Sequence, residues 1–367
     1  MNYAGQAAIV LEGASTNDNI FFRLCPQPFL LPLIILATLA TIIASQSIIT
    51  GAFSMTRQAI QLGWLPRLRI TQTSEEGYGQ IYVGVVNWLL AIATIGLTLF
   101  FGKSDNLAAA YGIAVSLTML MTSALLYIAM REVWGWSSLT SGVLAGTLLC
   151  IDAAFFCANM VKVLDGGYVP LLLAGLVYGV MWIWHRGTAA VAQAINEKLT
   201  PIPEFLAEIA AKRIPRVPGS AVFITRTSRD TPPVMKWHVK KNRALHQHLL
   251  VLTVTTESVP WIKENERLVA KELAPDFWRA TVRYGFMERP GIAAVLKQTA
   301  ALGCPLQLDD VTYYVGHETI VPADDHHGLH TWEEVLYAAM VRNAVDVSDF
   351  LHLPSDNVVE IGRQIAI

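Results

Sequence analysis

The sequence predicts an α-helical membrane bundle followed by a small α/β domain, and three observations carry this prediction. The mean hydropathy is +0.42, with 53% hydrophobic and only 15% charged residues, which is unusually apolar for a soluble chain. Charge is also unevenly distributed: only 7 of the 27 Lys and Arg residues, and 8 of the 29 Asp and Glu residues, precede His185. After Ser220, strand-like and helix-like runs alternate, which is typical of an α/β sheet domain.

Five apolar segments predict membrane spans. A helix needs about 20 apolar residues to cross the hydrocarbon core of a bilayer, and no charged residue occurs between Leu24 and Thr56. The predicted spans are residues 29–54, 80–101, 107–130, 138–160 and 168–184. Residues 1–10 are predicted to be the last turns of a further helix. Tryptophans near the span ends fit an aromatic belt at the membrane surface: Trp134, Trp136, Trp182 and Trp184.

The distribution of basic residues predicts the orientation. The loop at residues 55–79 contains Arg57, Arg67 and Arg69, whereas loops on the opposite side contain one basic residue each. Because positively charged loops stay in the cytoplasm, this loop and the C-terminal half are predicted to be cytoplasmic. We expect the segment from Arg57 to Arg69 to form an interfacial loop.

The domain boundaries follow from composition. Residues 1–185 form the predicted transmembrane domain, residues 186–218 a proline-containing linker with helical pieces, and residues 219–367 the C-terminal α/β domain. Predicted strands are AVFIT, LLVLTVT, ATVRYG and VTYYVG, and predicted helices are residues 233–245, 291–301 and 332–342. LLVLTVT is apolar on both faces and therefore suits a central strand of a partly parallel sheet.

Several function classes are disfavoured. The C-terminal half is nearly neutral, which argues against nucleic acid as a partner. The four cysteines lack metal or redox spacing, and no phosphate loop or catalytic signature is evident. A metal site could be considered at a histidine-rich run, which contains Asp324, Asp325, His326, His327 and His330. A loop exposed to solvent is the favoured interpretation of this run. No enzyme activity, resident metal or cofactor is expected.

Several strings in the chain closely resemble those of the KUP/HAK/KT potassium uptake transporters. They are ASQSIITGAFSMTRQAIQLGWLPRLRI, TSEEGYGQIYVGVVNW, NLAAAYGIAVSLTML and FFCANMVKVLDGGYVPL in the apolar half, and RVPGSAVFIT, VRYGFMERPG and RNAVDVSDFLHLP in the polar half. The resemblance covers essentially the whole chain. Typical members are much longer, so the first half of such a transporter is expected to be absent.

The resemblance implies a fold and a function. The helices would be the later ones of a LeuT-like, APC-type inverted-repeat transporter. The chain would take part in K⁺ uptake across the cell inner membrane by K⁺:H⁺ symport with alternating access. K⁺ and H⁺ would be its substrates, and its partners would be the lipid bilayer and either a homodimer partner or the missing N-terminal half.

Oxygen-bearing side chains at membrane depth are the candidates for the cation pathway, since a dehydrated K⁺ needs several oxygen ligands. Tyr111 is the first candidate, because small neighbours allow close backbone approach and its hydroxyl could coordinate or gate a cation. An interfacial anchor is the alternative for this tyrosine. Further candidates are Ser45, Gln46, Ser47 and Thr50, and also Asn2, Tyr3 and Gln6. For any single one of them, hydrogen bonding between helices remains the alternative.

Asp152 lies near the middle of the fourth predicted span. A carboxylate at that depth suggests proton coupling by default. The last two spans usually lie outside the ten-helix core of LeuT-like transporters, so a structural partner or a water-facing residue is favoured instead.

A different class of function also stays open: a membrane-anchored regulatory module whose cytosolic α/β domain binds a nucleotide.

Overall fold

A computed structural model of the chain describes residues 2–13, 20–73, 81–102, 104–196, 199–225, 230–257, 259–285, 287–288, 290–299, 303–304, 306, 310–321 and 329–366. The chain divides into two compact units. The first comprises Met1–Thr56 with Ile70–Leu90, and the second comprises Arg57–Arg69 with Ala91–Ile367.

Long helices dominate the first part of the chain. In order, the elements are α1 (Asn2–Leu11), α2 (Ile20–Arg23), a 3-10 turn (Gln27–Phe29), α3 (Leu30–Gln61), β1 (Thr71–Gln72), β2 (Ile81–Tyr82), α4 (Gly84–Phe101), α5 (Ser104–Glu132), α6 (Ser138–Met160), a π-helical turn (Val163–Gly167) and α7 (Tyr168–Asn196). Strands β1 and β2 form a short antiparallel pair. Within the first unit, the rings of Phe53 and Tyr82 meet edge to face.

Five segments of the described chain are long and apolar enough to cross a membrane by length and composition: Gln27–Gln61, Gly84–Phe101, Leu107–Glu132, Ser138–Met160 and Val163–Ile195. They correspond in number and order to the five predicted spans. Two helices continue beyond the predicted ends. α3 runs to Gln61, so the expected interfacial loop at Arg57 begins as helix, and α7 runs to Asn196, so the start of the predicted linker is helical.

α5 and α6 pack closely in the second unit. Gly112 makes this approach possible, because a Cβ atom at that position would overlap Oδ1 of Asn159. The start of α6 is capped by Ser137, whose hydroxyl accepts the N–H of Thr140 at 3.2 Å. Gly167 in the π-helical turn is similarly tight, since a Cβ there would overlap the side chain of Ile113.

The C-terminal domain is an α/β sheet with helices on both faces. Its elements are α8 (Ile202–Ala211), β3 (Arg216–Thr225), α9 (Pro233–Asn242), β4 (Leu245–Glu257), α10 (Glu264–Arg267), β5 (Leu268–Ala274), β6 (Phe277–Gly285), α11 (Ile292–Thr299), β7 (Val311–Val321), α12 (Thr331–Arg342), α13 (Val347–Phe350) and β8 (Val358–Ala366). The predicted helices and strands of this region are all present, with shifted ends.

The six strands lie in the order β5-β6-β4-β3-β7-β8. All neighbouring pairs are parallel except β5 with β6, which is antiparallel. The predicted central strand LLVLTVT lies in β4, between β3 and β6. The architecture expected from the sequence, membrane helices followed by an α/β domain, is therefore confirmed at this level.

Two apolar cores hold the domain together, one on each face of the sheet. On one face, α8 and α9 place Phe205 and Met235 against Phe223, Leu249 and Phe277 of the strands. On the other face, α11 and the region of α13 cover a second set, which includes Val222, Leu250, Val282, Ile292 and Leu351. A parallel sheet needs such cover on both faces, because its strands are apolar on both sides.

A third, smaller core joins the end of α7 to α12. Ala190, Val191 and Ala194 of α7 pack with Leu329 and Tyr337. Gly187 lies directly under Tyr337, and a Cβ atom there would overlap Cδ2 of the tyrosine ring. The last turns of α7 are therefore part of the C-terminal domain's packing.

Candidate functional site

The candidate oxygen ligands of α3 lie on an exposed part of this helix. Ser45, Gln46, Ser47 and Thr50 are all exposed. The Ser47 hydroxyl donates to the carbonyl of Ile43 at 3.1 Å, and the Thr50 hydroxyl donates to the carbonyl of Gln46 at 2.9 Å. A hydroxyl that donates its hydrogen within its own helix keeps its oxygen lone pairs directed outward. These two oxygens are therefore available to accept a hydrogen bond or to ligate a cation.

The α1 candidates are described only in part. Asn2, Tyr3 and Gln6 lie in α1 (Asn2–Leu11) as expected. The side chains of Asn2 and Tyr3 lie outside the described part of the chain, and that of Gln6 is half-buried. The α1 and α3 candidates belong to the first unit, whereas Tyr111 and Asp152 belong to the second.

Tyr111 projects from α5 with 70% of its surface exposed. The next residue is Gly112, where α5 approaches Asn159 of α6 closely. The small residue next to Tyr111 thus allows α5 and α6 to pack closely, whereas the Tyr111 side chain is exposed and points away from this contact. A hydroxyl on an exposed ring suits either a cation ligand or an interfacial anchor.

Asp152 is buried and hydrogen-bonded across the α5–α6 contact. Its Oδ2 accepts the hydroxyl of Ser123 at 2.5 Å, and both side chains are buried. A buried carboxylate must find partners, since leaving it unsatisfied in an apolar setting is costly. Ser123 supplies one such partner, and no pattern in the sequence singles this serine out.

The junction between α6 and α7 is a further feature that sequence reasoning missed. The helix is interrupted at a π-helical turn, in which Gly166 adopts a φ of 121°. An open cavity of about 570 Å³ lies beside it. Its lining includes Phe101, Ala109, Lys162, Asp165 and Tyr168. The available signal was the pair Gly166-Gly167 directly after Asp165, because consecutive glycines inside an apolar helix favour a break.

The C-terminal domain contains a partly buried histidine pair. The ring centroids of His238 and His246 are 6.3 Å apart, and both rings pack against Tyr314. Burial lowers the pKa of His238, and the neighbouring His246 lowers it further. Burial also lowers the pKa of His246, while Asp310 partly offsets this effect.

No group of three or more metal-ligating side chains occurs among the residues that the structure describes. Of the histidine-rich run, Asp324, Asp325, His326 and His327 lie outside the described residues. His330 lies immediately before α12, where its N–H donates to Oε2 of Glu333 at 2.9 Å.

Five segments that are long and apolar enough to cross a membrane, joined to an α/β domain, are the architecture of a multi-span membrane protein. The family model for the K⁺ potassium transporter integral membrane domain matches residues 1–189, and that for the K⁺ potassium transporter C-terminal domain matches residues 218–367. The chain therefore belongs to the KUP/HAK/KT potassium transporter family. This is a family of transporters, not enzymes, which confirms the expectation that the chain is not an enzyme.

Curated relatives agree with this assignment. The chain is 67% identical to the probable potassium transport system protein Kup 1 of Bradyrhizobium sp. (strain ORS 278), over all of this chain and 59% of that protein. It is 54% identical to the probable Kup 3 of Legionella pneumophila (strain Lens), over 58% of that protein, and 45% identical to the probable Kup 1 of Geobacter sulfurreducens. The chain thus spans somewhat more than half the length of these relatives. None of these matches supports the alternative of a nucleotide-binding regulatory module.

Proposed function

We propose that this chain is part of a potassium transporter that takes up K⁺ across the cell inner membrane by K⁺:H⁺ symport with alternating access. The observation that carries the proposal is the match of both potassium-transporter family models, which together cover almost the entire chain. The five apolar helices support a membrane setting. No resident cofactor is needed, because K⁺ and H⁺ are the substrates.

The proposed cation pathway runs along the polar positions of the helices. Ser45, Gln46, Ser47 and Thr50 of α3 offer hydroxyl and amide oxygens, Tyr111 of α5 offers a phenolic oxygen, and Asn2, Tyr3 and Gln6 of α1 offer further polar groups. The outward lone pairs of Ser47 and Thr50 support this role, because a K⁺ ion that loses water needs replacement oxygens. Transporters place such oxygens near the bilayer midplane, at discontinuous helices.

We assign Asp152 a structural role in preference to proton coupling. Its short hydrogen bond to Ser123 supports this choice, since the carboxylate is engaged within the α5–α6 contact. We propose that the transporter has a LeuT-like inverted-repeat architecture, and that its principal coupling and cation-binding carboxylates lie in the part of the longer relatives outside the matched region.

The proposed arrangement has residues 1–185 in the membrane, a linker at residues 186–218 and a cytoplasmic domain at residues 219–367. The orientation rests on Arg57, Arg67 and Arg69, which favour the cytoplasmic side. A second copy of this chain, or the part of the longer relatives that lies outside the matched region, is the proposed protein partner.

Growth of a K⁺-uptake-deficient bacterium at low K⁺ tests the proposal. One strain expresses this chain, and a second expresses a chimera that adds the parts of the Bradyrhizobium relative outside the matched region. We expect the chimera to support growth and to accumulate Rb⁺, whereas empty vector does not. A chimera that reaches the membrane in normal amounts but leaves growth at the vector level would refute the proposed function.

A further inference from the structure

Helix α12 of the C-terminal domain turns an apolar surface outward. Its exposed residues are Thr331, Trp332, Val335, Leu336 and Arg342. Trp332 is 61% exposed and Val335 is 59% exposed. Because an α-helix has 3.6 residues per turn, Trp332, Val335, Leu336 and Arg342 lie on one side of the helix. These four residues are called the outward face of α12.

The acidic residues of α12 point the other way. Glu333 is buried and accepts hydrogen bonds from Nη1 of Arg186 on α7 at 2.7 and 3.0 Å, and from the N–H of His330 at 2.9 Å. Glu334 is buried as well. A helix on a surface that faces water normally has its apolar residues inside and its charged residues outside. α12 reverses this arrangement, and its outward face contains one arginine and no acidic residue.

The contact of α12 with α7 places the outward face near the end of an apolar span. α7 belongs to a segment that is long and apolar enough to cross a membrane, and no Lys, Arg, Asp or Glu of α7 precedes Arg186. The ring of Tyr337 on α12 lies 5.3 Å from that of Trp184 and packs directly over Gly187. Every residue of the outward face is within about 8 Å of Tyr337 along the axis of α12. The outward face is therefore close to the level at which the apolar part of α7 ends.

We propose that the outward face of α12 is a membrane-contacting surface that lies in the lipid headgroup layer. Trp332, Val335 and Leu336 insert between the headgroups, and the guanidinium of Arg342 binds lipid phosphates. Helices that lie in this layer have an apolar face with tryptophan or leucine and basic residues beside it. The proposal is independent of K⁺ transport, because it concerns only the contact with lipid.

The chemistry of the outward face selects lipid over water. A tryptophan has a large apolar ring with one N–H, and this combination favours the boundary between acyl chains and water. An arginine can lay its apolar stem along such a surface while its charged end meets phosphate oxygens. The headgroup layer is about 5–8 Å thick on each side of the bilayer, so a helix packed beside the end of a span lies within reach of it.

Site-directed spin labelling measures what touches the outward face. Val335→Cys and, separately, Trp332→Cys are labelled in the full chain with its four native cysteines replaced by alanine, in vesicles of phosphatidylcholine and phosphatidylglycerol. The label collides with O₂, which concentrates in lipid, and with a neutral nickel chelate, which stays in water. We expect the O₂ collision rate to exceed the nickel rate at least about threefold at both positions.

Trp237→Cys is the matched control, since Trp237 is an exposed tryptophan on α9, a helix that packs on the sheet through Met235 and Val239. A label there should collide more often with the nickel chelate than with O₂. Nickel rates on α12 equal to those of the control would show that water covers the outward face. Low rates with both reagents would show that protein covers it, such as a second copy of this chain. Either result would overturn the proposal.

The contact of Arg342 with lipid phosphate has a test of its own. We expect the nickel collision rate at labelled Val335→Cys to be about twofold lower in vesicles with phosphatidylglycerol than in phosphatidylcholine alone, because anionic lipid attracts the arginine. Arg342→Gln should abolish this difference. Arg243→Gln, which alters an exposed arginine at the end of α9, should preserve it. A difference of the same size in Arg342→Gln would refute the assigned role of Arg342.

Discussion

Ser123 on α5 donates a hydrogen bond of 2.5 Å to the carboxylate of Asp152 on α6, and both side chains are buried. This bond joins two apolar helices through a pair of polar side chains. A charged or polar group at membrane depth is tolerated where a neighbouring helix satisfies it.

In the chimera, we expect Asp152→Asn to retain stability and the proposed Rb⁺ uptake, because the amide oxygen still accepts the Ser123 hydroxyl. Asp152→Ala should lower the free energy of unfolding by about 0.6–2 kcal/mol, the range measured for hydrogen bonds between membrane helices. Thermal midpoints of the purified chain in detergent measure the difference. The pH dependence of Rb⁺ uptake decides the role: a flat profile in Asp152→Asn against a sloped one in the parent would indicate proton coupling instead.

The hydroxyl of Thr50 is expected to matter for K⁺ while that of Thr38 is not. Both threonines lie on α3 and donate to the carbonyl four residues earlier, at 2.9 and 2.8 Å. Thr50→Val keeps the shape and removes a proposed oxygen ligand, so the KM for K⁺ should rise roughly tenfold, whereas Thr38→Val serves as the matched control. Uptake kinetics of the chimera provide the measurement. A KM that rises equally in both variants would point to helix packing.

Gly187→Ala should destabilise the junction of α7 with the C-terminal domain. The added methyl would overlap three ring atoms of Tyr337, and overpacking of this kind costs about 1–3 kcal/mol. Gly179→Ala in the same helix meets no atom within 4 Å and should be neutral or stabilising, by up to about 1 kcal/mol. Limited proteolysis and thermal midpoints of the two variants are compared side by side. Equal midpoints would contradict the packing of Gly187 under Tyr337.

The stability of the C-terminal domain should fall below about pH 6.5. His238 and His246 have lowered pKa values in the folded state, because burial disfavours their charged forms. The unfolded chain therefore binds more protons in this range, and stability is lost as the pH falls below the ordinary histidine value towards the folded one. The groups around the pair are Phe223, Tyr314 and Asn242, with Asp310 near His246.

Thermal midpoints of the full chain between pH 8 and pH 5 measure this dependence. His238→Gln removes one of the two titrating groups and should flatten the curve. His352→Gln alters an exposed histidine and should leave the curve as in the parent. A parental slope in His238→Gln would exclude the buried histidine as its source.

The apolar spans and the central strands could be predicted from the sequence because burial dictates their composition. β4 contains LLVLTVT, and a run that is apolar on both faces suits a doubly covered strand. The edge strands β5 and β8 escape such a prediction, since Lys271 and Glu272 in β5 and Glu360 and Arg363 in β8 break the apolar pattern. Charged residues are common on edge strands, where they discourage further pairing.

The contacts of the segment Arg57–Arg69 could not be predicted from the sequence. The side-chain amide of Gln61 donates to the backbone carbonyl of Glu288, which is 227 positions away, and neither residue type signals such a partner. The string VRYGFMERPG shows only a resemblance to the family. The hydrogen bonds of its glutamate, Glu288, with Arg267, Gly285 and Ile262 are visible only in the structure. The same holds for Asp152, whose depth was predictable while its partner Ser123 was not.

α7 continues without a break from its apolar part into the packing of the C-terminal domain. α7 has 29 residues, so spectroscopic probes at Tyr168 and Asn196 would stand about 42 Å apart. A continuous helix of this kind connects the two regions more stiffly than a flexible linker would. Because the end of α7 packs with Leu329 and Tyr337, a binder raised against the C-terminal domain could serve to immobilise α7 as well.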